Sequence, residues 1–188
     1  MEAFFTSTGI VALAEIGDKT QLLAIVLAAK FRKPVPIILG ILVATLLNHA
    51  AAAGAGYYAA AFLSGRPFQA VVGAAFILMA AWALIPDKED GEIVKNVRGG
   101  VFMATAIAFF FVEIGDKTQI ATSLLAARFQ NIALVTAGTT LGMMIANIPA
   151  VYFGDAATKI IPLRYVRMAA AAIFAAIGVM VIANAFAG

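Results

Sequence analysis

Two copies of one heptapeptide hold most of the chemistry in this chain. Glu15-Ile16-Gly17-Asp18-Lys19-Thr20-Gln21 returns unchanged as Glu113-Ile114-Gly115-Asp116-Lys117-Thr118-Gln119. In each copy two carboxylates stand three residues apart, the spacing that puts them on one face of a helix. Four such carboxylates brought together can form an oxygen-lined cage for a hard cation, and Gln21 and Gln119, three residues further on, could add amide oxygens. Gly17 and Gly115 lie between the acids, where a backbone without Cβ can pack closely or unwind, and unwound carbonyls are frequent cation ligands in broken transporter helices. Four carboxylates and two lysines sum to −2, the charge one divalent cation neutralises. When the cation leaves, protons must replace it, because clustered carboxylates in low dielectric resist being charged together. Cation and proton then compete for the same groups, which is the minimum an exchanger requires.

The elements that must position these groups lie in a membrane. Of the 188 residues, 63% are hydrophobic and 12% charged, about half the charge of an ordinary soluble domain. A helix crosses the hydrocarbon in about 20 apolar residues, and the apolar runs predict six crossings at about 4–28, 35–63, 68–85, 99–126, 131–154 and 163–186. The expected fold is therefore an all-α membrane protein forming one transmembrane domain over residues 1–188. Lys30, Arg32, Lys33, Lys88, Lys95, Arg98, Lys159, Arg164 and Arg167 fall in or beside the odd-numbered connections, against Arg66 and Arg128 on the opposite side. That bias predicts the odd loops in the cytoplasm and both termini outside. The first span lacks a basic leader and carries charge in its middle, so it is expected to remain as a crossing rather than be removed as a signal peptide.

The halves echo each other beyond the heptapeptide. From Glu15 to Phe31, 11 of 17 positions are identical at an offset of 98, and Gly40 and Gly138 obey the same offset. Three crossings per half is an odd number, so the halves, about 1–86 and 99–188 around a cytoplasmic loop at about 87–98, would enter the membrane in opposite senses. Such inverted repeats place substrate at the midplane between halves. Glu15, Asp18, Lys19, Glu113, Asp116 and Lys117 lie well inside the predicted crossings, and six uncompensated charges there would cost roughly 15–20 kcal/mol. They must pair, take up protons or bind something. Lys19 and Lys117 are expected to gate opposite entrances, Lys19 on the cytoplasmic side of its acids and Lys117 on the external side, each pairing with carboxylates when its entrance is closed.

Around this set stand Asn48 and His49 in the second crossing and Asn147 in the fifth, where Asn147 aligns with His49. Pro149 leaves the carbonyl of Ile145 without a donor. Asn48 and Asn147 are candidate ligands, with interhelical hydrogen bonding the more ordinary role, and His49 is a candidate ligand or relay against the more ordinary packed, hydrogen-bonded histidine. With no cysteine and one histidine, the donors are nearly all oxygen, which suits calcium, manganese or magnesium. The chain offers no activated serine and no paired histidines, so an enzyme is not expected. A small-molecule exporter whose acids hold an ammonium group, for instance of an amino acid, is the alternative. The stretch Asp87-Lys88-Glu89-Asp90-Gly91-Glu92 has its glycine out of register for a calcium loop and reads as a solvated connection.

On these motifs the chain resembles the membrane family defined by two E-x-G-D-[K/R]-[T/S] sequences, which includes bacterial manganese exporters of the MneA type and Golgi and thylakoid homologues. The resemblance runs along essentially the whole chain. It implies manganese or calcium transport in exchange for protons, with no tightly bound cofactor and with Glu15, Asp18, Glu113 and Asp116 as the metal-binding acids. A short central loop further implies a member in a bacterial cell (inner) membrane that exports manganese from the cytoplasm. The partners implied are the metal ion and the bilayer, with no nucleic acid; a homo-oligomer is allowed and not required.

Overall fold

A computed structural model describes residues 1–63, 65–85, 100–154 and 163–187. The acidic stretch 87–92 and the connection residues Lys88, Lys95, Arg98 and Lys159 lie outside them. The described residues form eight helices: α1 (Glu2–Glu15), α2 (Lys19–Phe31), α3 (Pro34–Phe62), α4 (Arg66–Ala83), α5 (Gly100–Glu113), α6 (Lys117–Phe129), α7 (Ile132–Phe153) and α8 (Leu163–Ala187). Four of these, α3, α4, α7 and α8, are long and apolar enough to cross a membrane.

The distribution of side chains is that of a protein in lipid. Phe5, Leu47, Val71, Leu78, Phe111 and Val179 stand more than half exposed, while Glu15, His49, Glu113, Thr118 and Asn147 are fully buried. An interior richer in polar groups than the surface makes sense only where the surroundings are hydrocarbon.

In the first and fourth apolar runs the chain unwinds at the motif, one of the two roles open to Gly17 and Gly115. Each run is two half-helices of 13 or 14 residues. The break in the first run begins at Ile16, whose backbone is extended, passes through Gly17 at φ 81°, and ends at Asp18, extended again as the N-cap of α2. In the second, Gly115 holds φ 76° and Asp116 is the extended N-cap of α6. Positive φ is nearly free for glycine and strained for other residues. No heavy atom lies within 4 Å of where a Cβ on Gly115 would sit, so this glycine serves an unwound backbone rather than a close approach.

The half-helices are held by helices from the other half of the chain. Both α1 and α2 lie along α7, and both α5 and α6 lie along α3. Small residues allow the contact. A Cβ on Gly40 of α3 would sit 2.8 Å from the Phe102 carbonyl and 2.7 Å from Thr105 Cβ in α5. A Cβ on Gly138 of α7 would sit 2.5 Å from the Phe4 carbonyl and 3.0 Å from Ser7 Cβ in α1. Residues 40, 102 and 105 map onto 138, 4 and 7 by the offset of 98 that relates the two heptapeptides. Outside this inner group, α4 packs against α8, with Gly73 and Gly178 each facing the other's carbonyl.

Candidate cation site

The heptapeptide's polar residues divide their work between building the break and lining it. In the first copy Asp18 Oδ1 accepts from the Lys19 N–H at 2.7 Å, and Gln21 Oε1 accepts from the Gly17 N–H at 2.8 Å. In the second copy Gln119 Oε1 accepts from the Gly115 N–H at 2.7 Å. The two glutamines thus act as reaching-back caps, one residue earlier than in a standard capping box. Their amide oxygens, expected as possible cation ligands, are used on backbone donors left open by the unwinding, and Gln21 Nε2 further donates to the Ala146 carbonyl at 2.9 Å.

At the breaks, α1 and α5 end on Glu15 and Glu113, and α2 and α6 begin after Asp18 and Asp116. The C-terminal ends of α1 and α5 direct partial negative charge to the same place as the carboxylates. One oxygen each from Glu15, Asp18 and Asp116 fall within 4.8 Å of one another, all three residues being buried. This group joins two acids of the first copy to one of the second. Glu113 stands apart from it: its Oε2 lies 3.7 Å from His49 Nε2, with both side chains fully buried. Asp116 and Lys19 remain close enough to act on it electrostatically.

The lysines are placed differently from each other. Lys19 Nζ lies 3.1 Å from Asp116 Oδ1, reaching across to the second copy, and Thr118 donates to the other oxygen of Asp116 at 3.2 Å. Lys117 Nζ donates to the Ile85 carbonyl at 2.7 Å and lies 5.8 Å from the centre of the Trp82 ring. Its ammonium therefore sits beside the C-terminal end of α4, and Lys117 shares the lining of one small cavity with Asp18. Asn48 Nδ2 donates to the Phe110 carbonyl at 3.0 Å, tying α3 to α5. Asn147 Nδ2 turns back to the Met143 carbonyl at 3.1 Å, and its buried Oδ1 has no hydrogen-bond partner among the described residues.

A cavity of about 20 Å³ opens on Asp18, lined also by Ile16, Gly17, Lys117, Arg167 and Phe174. That is room for roughly one water molecule. Arg167, counted from the sequence only as a loop charge, thus lines the same small cavity as Asp18. Its signal was available, since it lies in the first turns of a long apolar run.

A family model described as "Divalent cation/proton antiporter GDT1" matches residues 3–91 and 101–188. The chain belongs to the GDT1 family. It is accordingly a membrane transporter of divalent cations and not an enzyme. A Vibrio cholerae protein named "Putative manganese exporter" is 49% identical over 187 residues, which is 99% of this chain and 92% of that protein. Two GDT1-like proteins of rice, numbers 4 and 3, are 28% and 25% identical over 180 residues, or 82% of this chain and 63% and 64% of theirs. No solved structure matches the chain. In this GDT1 protein the duplicated Glu-Ile-Gly-Asp-Lys-Thr-Gln unites the halves, and its glutamates, aspartates and glutamines stand at the breaks.

Proposed function

We propose that this protein exports manganese, with calcium as a second substrate, from the cytoplasm in exchange for protons, using a midplane carboxylate site opened alternately to either side. The observation that carries the reading is the convergence of Glu15, Asp18 and Asp116 from both copies, within 4.8 Å and buried. Three carboxylates held that close in a low-dielectric interior repel one another strongly, and either a dication or protons relieves the repulsion. The four acids including Glu113 form the metal-binding set, with Asn48 and Asn147 as further candidate oxygen donors beside it.

On this reading the fold is six crossings in two inverted three-helix repeats, α1 and α2 together making the first crossing and α5 and α6 the fourth. The exchange of partners, α3 with α5 and α7 with α1 through residues related by one offset, supports a pseudo-two-fold axis between the halves. The location is a bacterial inner membrane, with both termini outside the cytoplasm. The experiment is uptake of manganese, calcium and magnesium into proteoliposomes with and without a pH gradient. Manganese and calcium movement driven by the gradient is expected; if no divalent cation moves, an amine-bearing small molecule becomes the better substrate.

The Lys19 pair with Asp116 gives this scheme a sidedness. We expect Lys19→Gln to change half-saturating manganese by about tenfold on one face of the membrane, the ratio that ~1.4 kcal/mol produces, with little change on the other. Uptake into oriented inside-out and right-side-out vesicles reads both faces, and equal shifts would remove the gating role.

A further inference from the structure

His49 is the one histidine of the chain, and its surroundings are not those of a structural histidine. It is fully buried in α3, and neither ring nitrogen has a hydrogen-bond partner among the described residues. Nor does either oxygen of Glu113, the nearest acid. The 3.7 Å between His49 Nε2 and Glu113 Oε2 is too long for a hydrogen bond. It is, however, a normal separation for two ligands sharing one ion, since donors each about 2.1 Å from a metal stand roughly 3–4 Å apart. A buried imidazole is ordinarily satisfied, and one left open on both nitrogens needs a reason.

Resting on the transport reading, we propose that His49 and Glu113 form a second cation station beside the Glu15, Asp18 and Asp116 group, and that its imidazole selects a transition-metal dication over calcium. The two halves differ here in kind. By the offset of 98, His49 corresponds to Asn147, so the related residue of the other half offers only amide oxygen and nitrogen. Calcium is held by oxygen alone, whereas imidazole suits the first-row transition ions. An oxygen group followed by a station with one nitrogen ligand therefore admits hard dications and retains the transition metal among them. The second copy of the motif supplies an acid to each station, Asp116 to one and Glu113 to the other, which gives the ion successive sites along a path between the halves.

The test uses manganese as its own probe. Full-length protein labelled with ¹⁵N at its single histidine, its affinity tag removed, is titrated with Mn²⁺ in lipid nanodiscs and examined by pulsed electron paramagnetic resonance. A directly bonded ¹⁵N coupling is expected, and it must come from His49. His49→Asn, which copies the other half, should abolish it and lower the manganese-to-calcium transport preference at least about tenfold while calcium transport persists. Bound manganese with no ¹⁵N coupling at any occupancy overturns the second station and leaves the carboxylate group standing. Manganese that does not bind the wild type at all overturns the transport reading, and this inference with it. If His49→Asn is not recovered folded, the labelled wild type decides alone.

Discussion

Asp116→Asn is expected to lower manganese and calcium transport by about 100-fold or more while leaving the protein folded. Losing an outer partner of a metal site already costs about 10- to 100-fold, and Asp116 is a member of the carboxylate group itself. The substitution keeps the side chain's size and shape and removes one negative charge. It also spares the local backbone. Although Asp116 is the N-cap residue of α6, its side chain makes no capping hydrogen bond, and asparagine is as good an N-cap as aspartate. Asp18 lacks this advantage, because its Oδ1 caps the Lys19 N–H, so Asp18→Asn mixes charge loss with a perturbed helix start. Removing the Asp116 charge also weakens the Lys19 contact at 3.1 Å, a second change that acts on the same site. Proteoliposome uptake, with size-exclusion profile and melting temperature measured on the same preparation, separates the two effects. Transport within about twofold of wild type, in a protein that folds normally, would place the carboxylate group off the transport path.

Much of this site was legible in the sequence, and what was not has definite physical causes. Charged residues repeated within two apolar runs identify a membrane transporter because the bilayer makes such residues expensive. The class of ion follows from the near absence of nitrogen and sulfur donors. The broken helices were legible only as one of two roles for Gly17 and Gly115. A window wide enough to find a crossing averages over Ile16 to Asp18, and the apolar count on either side stays high. Yet the local signal was present: Asp18 followed three residues later by Gln21 is a helix-start pattern, here set in the middle of a predicted crossing. Read that way, Gln21 and Gln119 would have been assigned to capping before ligation. Other details depend on packing between elements far apart in sequence. Spacing puts Glu113 and Asp116 on one helical face only while the helix continues between them; once the chain unwinds at Gly115, Glu113 is free to turn toward His49 on α3. The reach of Lys117 to Ile85 likewise follows from where α4 ends in space. Arg167 is a case between these, visible as an arginine inside an apolar run but given its role only by the cavity it shares with Asp18.

Gly56→Ala should cost about 3 kcal/mol or more, the upper end for forcing volume into a packed interior, and reduce the yield of folded protein accordingly. Gly56 lies in α3 where that helix crosses α6, and a Cβ there would collide with the carbonyl of Ser123. The obstacle is backbone, so no side-chain rotation relieves it, and the helices must separate. Separation is resisted locally, because Ser123 Oγ donates across the same crossing to the Ala52 carbonyl at 2.9 Å. Gly54→Ala is the control: it lies two residues away in the same helix, with no heavy atom within 4 Å of its would-be Cβ. There the substitution should be neutral or stabilise by up to ~1 kcal/mol through helix propensity. The functional consequence follows from what the two helices carry. α3 holds Asn48 and His49 about two turns before the crossing, and α6 opens directly after Asp116. Any Gly56→Ala protein that does fold is thus expected to hold His49 displaced from the motif, with weakened manganese binding at unchanged charge. A Gly56→Ala protein with the melting temperature and manganese affinity of wild type would show that α3 and α6 do not approach this closely, and the distance between His49 and Glu113 would lose its structural support.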